Sequence, residues 1–193
     1  MPPRSVDNHE LSTRLDTSDA WIRERLGIAR RHVTDGMSTV DLAVEAGARA
    51  LEMAGFGKLD VVLLATTTPD RLCPASAPEV ASRLGHTGVA AFDVNAVCAG
   101  FVHALATGSA LIRGLMADRV LVIGADVFTT LVDPHDRLTA SIFGDGAGAV
   151  VLRAAPWTSR ARSGPSTWAA TGRRWRRWRC RAAGRGTGSG CRS

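Results

Sequence analysis

Apolar residues follow two kinds of pattern along this chain, and together they predict helices that alternate with buried strands. Stretch 38–54 (STVDLAVEAGARALEMA) repeats apolar residues at helical spacing and ends at the glycines of 55–57. Stretches 60–68 (DVVLLATTT) and 119–125 (RVLVIGA) are continuous apolar runs, typical of strands covered on both faces. This alternation predicts a layered α/β fold with a mostly parallel sheet and flanking helices.

Turn and capping residues place the remaining elements. A helix around 20–25 follows three residues that cap helices well, and Gly27 ends it; the capping residues are Asp16, Thr17 and Ser18. We expect a short helix over 77–84 and a turn followed by a strand over 142–152. The prolines in 1–8 and the polar run 129–139 indicate loops, with no strand at the start of the chain.

Cys98 lies between a short strand-like stretch, AFDVNAV, and a stretch with helical spacing, AGFVHALATGSALIRG. Because the second stretch has few polar residues, we expect its helix to be buried on most of its surface, with Cys98 on its first turn. Unpaired N–H groups and the helix dipole stabilise a thiolate there, as a nucleophile requires. The alternative is a buried structural cysteine. His103, five residues on, should point to a different face and is expected to be a packed or core-edge histidine and not a catalytic one.

Charge divides the chain sharply. Of the 193 residues, 1–152 contain 13 Lys and Arg and all 18 Asp and Glu, a net charge of −5. Residues 153–193 contain 11 Arg and no acidic residue, a net charge of +11, together with four of the five tryptophans. This break predicts a structured unit over 1–152 and a separate Arg/Gly/Trp-rich tail over 153–193.

The four cysteines form no CxxC pair and show no metal-ligand spacing. The chain also lacks a secretory signal pattern and an apolar run long enough for a membrane. We therefore expect free thiols, no metal, no membrane association and a cytoplasmic location.

A basic segment begins in the first predicted helix and continues beyond its end. Its residues either form a solvated face or bind a phosphate-bearing ligand, and Trp21 beside them offers a ring for stacking. The segment comprises Arg23, Arg25, Arg30, Arg31 and His32.

Four segments, taken in order, resemble one known family. WIRERLGIARRHV, DVNAVCAGFVHAL, RVLVIGADVF and DPHDRLTASIFGDGAGAVVL are similar to the N-terminal half of β-ketoacyl-acyl-carrier-protein synthase III, over roughly residues 4–152. The resemblance implies a thiolase-like fold, of which this chain carries the N-terminal half. It also implies an acyltransferase that joins acyl-CoA to malonyl-acyl-carrier protein in fatty acid biosynthesis. It implies a homodimer, and acyl-CoA as substrate with no tightly bound cofactor.

The resemblance assigns roles to individual residues. Cys98 would carry the acyl group as a thioester, with its own N–H as one oxyanion donor. Trp21 and Arg137 match the pair that sandwiches the CoA adenine, while Arg25 and Thr17 match residues at the nucleotide end. Cys73 falls where the family places a side chain of the dimer interface.

Several of these residues also have simpler interpretations. Trp21 fits plain helix packing, and Arg137 fits an ion pair with Asp133 or Asp136. The GDGAGA glycines fit close backbone packing without a bound phosphate.

The tail departs from the family. Family members are about twice as long, and their decarboxylating His and Asn lie in the second half, whereas 153–193 contains no His. The Arg/Gly/Ser/Trp mixture is typical of disorder or of GC-rich DNA read out of frame. Back-translated in another frame, 166–172 yields a DLGSDG segment of the kind the family has here. We therefore expect a frameshifted, unstructured tail and a truncated chain that is inactive in condensation.

Other functions remain open at this stage. A polyketide-priming ketosynthase and a thiolase-fold acyltransferase share this half of the sequence. A nucleic-acid-binding protein, acting through the basic tail, is a weaker alternative because the arginines lie on no predicted element.

Overall fold

The computed structural model describes residues 1–154. Six strands and six helices follow one another in this part of the chain. They are β1 (Arg4–Asp7), α1 (Asn8–Ser12), α2 (Asp19–Leu26), β2 (Arg30–Val33), α3 (Thr39–Met53), β3 (Val61–Ala65), α4 (Ala77–Arg83), β4 (Ala90–Val94), α5 (Gly100–Arg113), β5 (Arg119–Val127), α6 (Arg137–Ala140) and β6 (Asp145–Arg153).

The main sheet has four strands in the order β4-β3-β5-β6. β3 pairs in parallel with β4 and β5, and β6 pairs antiparallel with β5 along nine residues of each strand. Helices α4 and α5 make the crossovers between the parallel strands, as parallel pairing requires. The predicted α/β layers and mostly parallel sheet are confirmed.

Helices cover both faces of this sheet. α3 and α4 pack on one face through an apolar cluster, and α5 packs on the other through a second one. All five residues of β3 are buried, as the continuous apolar run predicts. Because both faces are covered, the sheet holds its C-terminal strand ends, and the loops that follow them, in fixed positions.

The start of the chain differs from the prediction of a loop. β1 pairs antiparallel with β2 to form a two-stranded sheet. Val6 is buried there, in a third apolar cluster that also contains Ile22 from α2. Both strands have only four residues, RSVD and RRHV, without an apolar run. Their local sequence therefore carries no strand signal, and pairing between distant segments makes the strands.

α5 is also less buried than predicted. Its fully buried residues are Gly100, Ala104 and Gly108, and Val102 on the opposite side is 63% exposed. The apolar pattern gives α5 two apolar sides, and only one of them is covered by described residues.

The tail predicted over 153–193 lies outside the described residues from 155 onward. Within the described part, no helix combines the length and apolar character needed to cross a bilayer.

Candidate functional site

Cys98 lies on a tight turn between β4 and α5. Residues Val97–Ala99 form one turn of 3₁₀ helix, and α5 begins only at Gly100, so Cys98 precedes the α-helix instead of lying in its first turn. The side chain of Cys98 is exposed and free, which rules out a buried structural cysteine in this part of the chain. The predicted strand-to-helix position is correct.

The residue before Cys98 holds a strained backbone conformation. Val97 has φ of 48°, a left-handed value that β-branched residues rarely adopt. Such strain is concentrated at functional turns, where it fixes the presentation of one side chain. Gly100, on the other side of Cys98, is buried against Ala65 and Val94 of the neighbouring strands. The turn is therefore held tightly against the ends of β3 and β4.

No general base contacts the thiol among the described residues. No side chain in residues 1–154 donates a hydrogen bond to the Cys98 sulfur or accepts one from it. His103 is exposed, so the expectation of a packed or core-edge histidine is wrong, and it makes no hydrogen bond to Cys98. The helix turn carries His103 to the uncovered side of α5.

Two arginines converge on Trp21. The guanidinium carbon of Arg25 lies 4.7 Å from the centroid of the Trp21 ring, and that of Arg137 lies 5.1 Å from it. Both distances are within the range of cation–π attraction. Arg25 comes from one turn further along α2, whereas Arg137 comes from α6, so the structure joins three of the residues assigned to the nucleotide.

Arg137 has a different partner from the two expected. Its guanidinium donates to the backbone carbonyl of Asp16 at 3.1 Å and lies 3.6 Å from that residue's carboxylate. Asp136 instead caps α6, where the Thr139 hydroxyl and backbone N–H groups lower the pKa of its carboxyl. Asp133 lies against His135. The expected ion pairs are therefore absent from the described residues, because Asp136 is used as a helix cap.

Thr17 is near this group but its hydroxyl faces inward. The Oγ1 atom is buried and has no hydrogen-bond partner among the described residues. Ser18, next in the chain, caps α2 by accepting from the Trp21 N–H. A ligand contact by Thr17 remains a prediction, and its hydroxyl must turn outward to make one.

The glycine-rich segment is explained by packing at Gly144. A Cβ there would lie 2.7 Å from the His32 carbonyl oxygen and 3.0 Å from the Arg31 Cβ, too close for any side chain. At Gly148 nothing lies within 4 Å. Asp145 between them is buried and accepts from the Thr34 and Thr129 N–H groups. The segment thus joins the main sheet to the small sheet of β1 and β2, and no phosphate is needed to explain Gly144.

Sequence reasoning missed two buried polar residues, Asn8 and Arg31. Arg31 belongs to the basic segment expected to be solvated or ligand-bound, yet it is only 6% exposed, and Asn8 is fully buried. No periodicity marks them, because β1 and β2 carry no pattern. Asn8 is recognisable only from its position after Asp7, whose side chain caps α1.

Cys73 is exposed in the loop between β3 and α4, next to Leu72, which is 99% exposed. Its predicted place at a dimer interface is not tested by a single chain. Within residues 1–154, no three His, Cys, Asp or Glu side chains are grouped so that they could hold a metal ion.

Comparison with known sequences identifies relatives of the described part. A family model described as 3-oxoacyl-(acyl-carrier-protein) synthase III matches residues 92–172. The chain is 59% identical over 153 residues to β-ketoacyl-(acyl-carrier-protein) synthase III 5 of Streptomyces coelicolor, covering 79% of this chain and 46% of the relative. It is 49% identical over 154 residues to β-ketoacyl-(acyl-carrier-protein) synthase III of Pseudomonas aeruginosa, covering 80% and 47%. The chain spans about half the length of the curated relatives it matches.

Solved structures agree with these relatives. The crystal structure of 3-oxoacyl-(acyl carrier protein) synthase III from Pseudomonas aeruginosa superposes with a TM-score of 0.79 at 47% identity, over 82% of this chain and 50% of that one. The priming β-ketosynthase of a polyketide biosynthetic pathway superposes with a TM-score of 0.76 at 35% identity, over 78% and 46%. The fold is therefore thiolase-like, and the chain belongs to the β-ketoacyl-acyl-carrier-protein synthase III family, of whose length it spans about half.

Proposed function

We propose that Cys98 is the nucleophile of an acyl transfer from acyl-CoA. Its thiolate attacks the thioester carbonyl, the CoA thiolate leaves, and the acyl group remains on Cys98 as a new thioester. The main observation that supports this proposal is that Cys98 is exposed on a strained turn directly before α5. The positive end of α5 and the N–H groups of this turn favour both the thiolate and the oxyanion.

The group of Trp21, Arg25 and Arg137 is proposed to bind the nucleotide end of CoA. A flat base between the Trp21 ring and the Arg137 guanidinium needs a separation of about 7 Å, two van der Waals layers. The observed separation is 5.1 Å, so Arg137 must move outward when a base enters. Within residues 1–154, Arg137 donates one hydrogen bond, to the Asp16 carbonyl, and its ion pair with the Asp16 carboxylate is exposed to water, so this movement costs little. Arg25 and the Thr17 segment would then face the ribose and phosphates.

The second step, condensation, is proposed from the similarity to the family. Decarboxylation of malonyl-acyl-carrier protein would supply a carbanion that takes the acyl group from Cys98, giving β-ketoacyl-carrier protein for fatty acid biosynthesis. Because the described residues place no base or amide at the Cys98 sulfur, we propose that the 193-residue chain performs the acylation step without condensation. A homodimer is proposed as in the family, supported by the free outer edge of β4 within the described residues.

A polyketide-priming role is the second candidate, favoured by the structural match to a priming β-ketosynthase at 35% identity. The curated relatives at 59% identity favour fatty acid synthesis. The two differ in the starter acyl group, so the length and branching of the acyl-CoA that loads Cys98 fastest separates them.

Mass spectrometry after incubation with acetyl-CoA tests the acylation step. We expect one acetyl group on the Cys98 peptide of the wild-type chain and of Cys73→Ala, which serves as the matched cysteine control. Cys98→Ala should stay unmodified. Equal acetylation of Cys73 and Cys98 would contradict the proposed nucleophile. Formation of a β-ketoacyl product after malonyl-acyl-carrier protein is added would contradict the proposed lack of condensation.

A further inference from the structure

Arg31 is a buried cation that makes no direct contact with a carboxylate among the described residues. It lies in β2, is 6% exposed, and takes part in no ion pair among the described residues. Burial lowers the pKa of its guanidinium, which shows the cost of holding the charge away from water. The Asp7 carboxylate favours the charge and Arg14 opposes it, and burial outweighs the help from Asp7, so the hydrogen bonds of Arg31 must offset much of the cost of burying the charge.

The hydrogen bonds of Arg31 connect separate segments. One terminal nitrogen donates to the Asn8 side-chain oxygen at 2.8 Å and to the Ser141 carbonyl at 3.0 Å. The other donates to the Val6 carbonyl at 3.3 Å. Ser141 ends α6, the helix that begins with Arg137. Arg31 therefore fixes the end of α6 to the small sheet of β1 and β2.

Asn8 continues the connection to α2. Its amide nitrogen donates to the Asp19 carboxylate and to the Ile28 carbonyl, both at 2.8 Å. Asp19 is the first residue of α2, two positions before Trp21, and the Asn8 amide is the main cause of the lowered pKa of its carboxyl. Asn8 thus holds both ends of α2, at Asp19 and just beyond Gly27.

The space between the Trp21 ring and the Arg137 guanidinium is called the Trp21 slot below. The hydrogen bonds of Arg31 and Asn8 form one continuous path between the two sides of this slot. We propose that Arg31, through Asn8 and the Ser141 carbonyl, is the positioning residue that sets the distance between Trp21 on α2 and Arg137 on α6. This inference rests on the proposed nucleotide site. Arg31 touches neither ring nor ligand, and it acts by holding α2 and α6 at one separation.

The shape of the guanidinium explains why arginine is needed. The guanidinium of Arg31 is rigid and planar, and its two terminal nitrogens donate to three acceptors that lie on β1, on α1 and at the end of α6. A lysine side chain has all its donors on one nitrogen, and from one position that nitrogen cannot reach the same three acceptors. Arg31→Lys therefore keeps the charge and loses the geometry. Arg4→Lys, at an exposed arginine of the same two-stranded sheet, is the matched control.

The test compares CoA affinity with Cys98 reactivity in the full 193-residue chain. Calorimetry with CoA should show about a tenfold loss of affinity in Arg31→Lys and less than about a twofold change in Arg4→Lys. Acylation of Cys98 by acetyl-pantetheine, which lacks the nucleotide, should stay within about twofold of wild type in both variants. A general loss of structure would reduce both readouts together. Unchanged CoA affinity in Arg31→Lys overturns the inference.

A second variant decides the matter if Arg31→Lys does not fold or loses both readouts. Asp19→Ala cuts the same path at its surface end, and Glu24→Ala on the exposed side of α2 is its control. We expect Asp19→Ala to weaken CoA binding by about threefold or more relative to Glu24→Ala. Equal affinities of these two variants overturn the inference. If the wild-type chain is acylated by acetyl-pantetheine but does not bind CoA, the proposed nucleotide site itself is wrong.

Discussion

The guanidinium of Arg137 lies 5.1 Å from the centre of the Trp21 ring, although the two residues belong to α6 and α2, at opposite ends of the described chain. Arg137 lies in the connection between β5 and β6 of the main sheet, whereas Trp21 lies in the connection between β1 and β2. The small sheet of β1 and β2 holds α2, and the loop that contains α6 closes against it. The two residues singled out by family resemblance are therefore adjacent in this chain, and the proposals on acyl-CoA start from that adjacency.

Removal of the Arg137 side chain should weaken nucleotide binding without affecting the thiol. We expect Arg137→Ala to lower CoA affinity by about tenfold, because one face of the base loses its partner. The rate of Cys98 alkylation by iodoacetamide should not change. Arg49→Ala, an exposed arginine of α3, is the control for loss of positive charge. Equal CoA affinities of Arg137→Ala and Arg49→Ala would refute the proposed slot.

The strained turn predicts an unusual response to glycine. Val97→Gly should raise the free energy of unfolding by up to about 1 kcal/mol, because glycine adopts a positive φ without strain. Val102→Gly, at an exposed position within α5, should lower it by about 1 kcal/mol instead. Urea unfolding of both variants checks this difference in sign. A destabilised Val97→Gly would show that the turn at Cys98 stores no strain.

The glycines of the GDGAGA segment should differ in their tolerance of a methyl group. Gly144→Ala is expected to cost about 1–3 kcal/mol, since its Cβ would overlap the His32 carbonyl. Gly148→Ala should change stability by less than about 0.5 kcal/mol, because that position is open. Thermal unfolding measures both. Equal effects at the two positions would mean that the packing around Gly144 is not as described.

Asp41 should make stability depend on pH. Its carboxylate accepts the Ser38 N–H at 2.9 Å and pairs with Arg83, and these contacts lower the pKa of Asp41 below its usual 3.8. Because the folded-state pKa is below the unfolded one, the stabilisation is present above the unfolded value and disappears as pH falls through the folded value.

Asp41→Asn should therefore be less stable than wild type at neutral pH, and the difference should shrink below pH 3.8. Urea titrations at several pH values measure it, with the exposed Asp35→Asn as control. A difference that does not depend on pH would contradict the assigned role of the charge.

The sequence predicted best those parts of the fold whose signals are local. β3 is apolar throughout, β5 is apolar from Val120 to Ala125, and α3 has both a helical apolar face and a capping box at Ser38. Each signal lies within one element, so it can be found without knowledge of its partners. The same is true of Cys98, whose strand-to-helix position follows from the residues around it.

The parts that were missed depend on contacts between distant segments. β1 and β2 exist because they pair with each other, and Arg31 is buried because Asn8 and the Ser141 carbonyl receive its hydrogen bonds. An arginine in a basic run gives no sign of such burial. The exposed side of α5 was misjudged for a related reason, because an apolar residue does not reveal which chain segment covers it.

The most direct test of the account compares two acyl donors on the wild-type chain. Acetyl-CoA and acetyl-pantetheine carry the same thioester, and only the first can occupy the slot between Trp21 and Arg137. At equal low concentrations, we expect acetyl-CoA to acylate Cys98 at least about tenfold faster, measured by mass spectrometry of the Cys98 peptide. Equal rates for the two donors would show that Cys98 and the Trp21 slot do not form one acyl-CoA site.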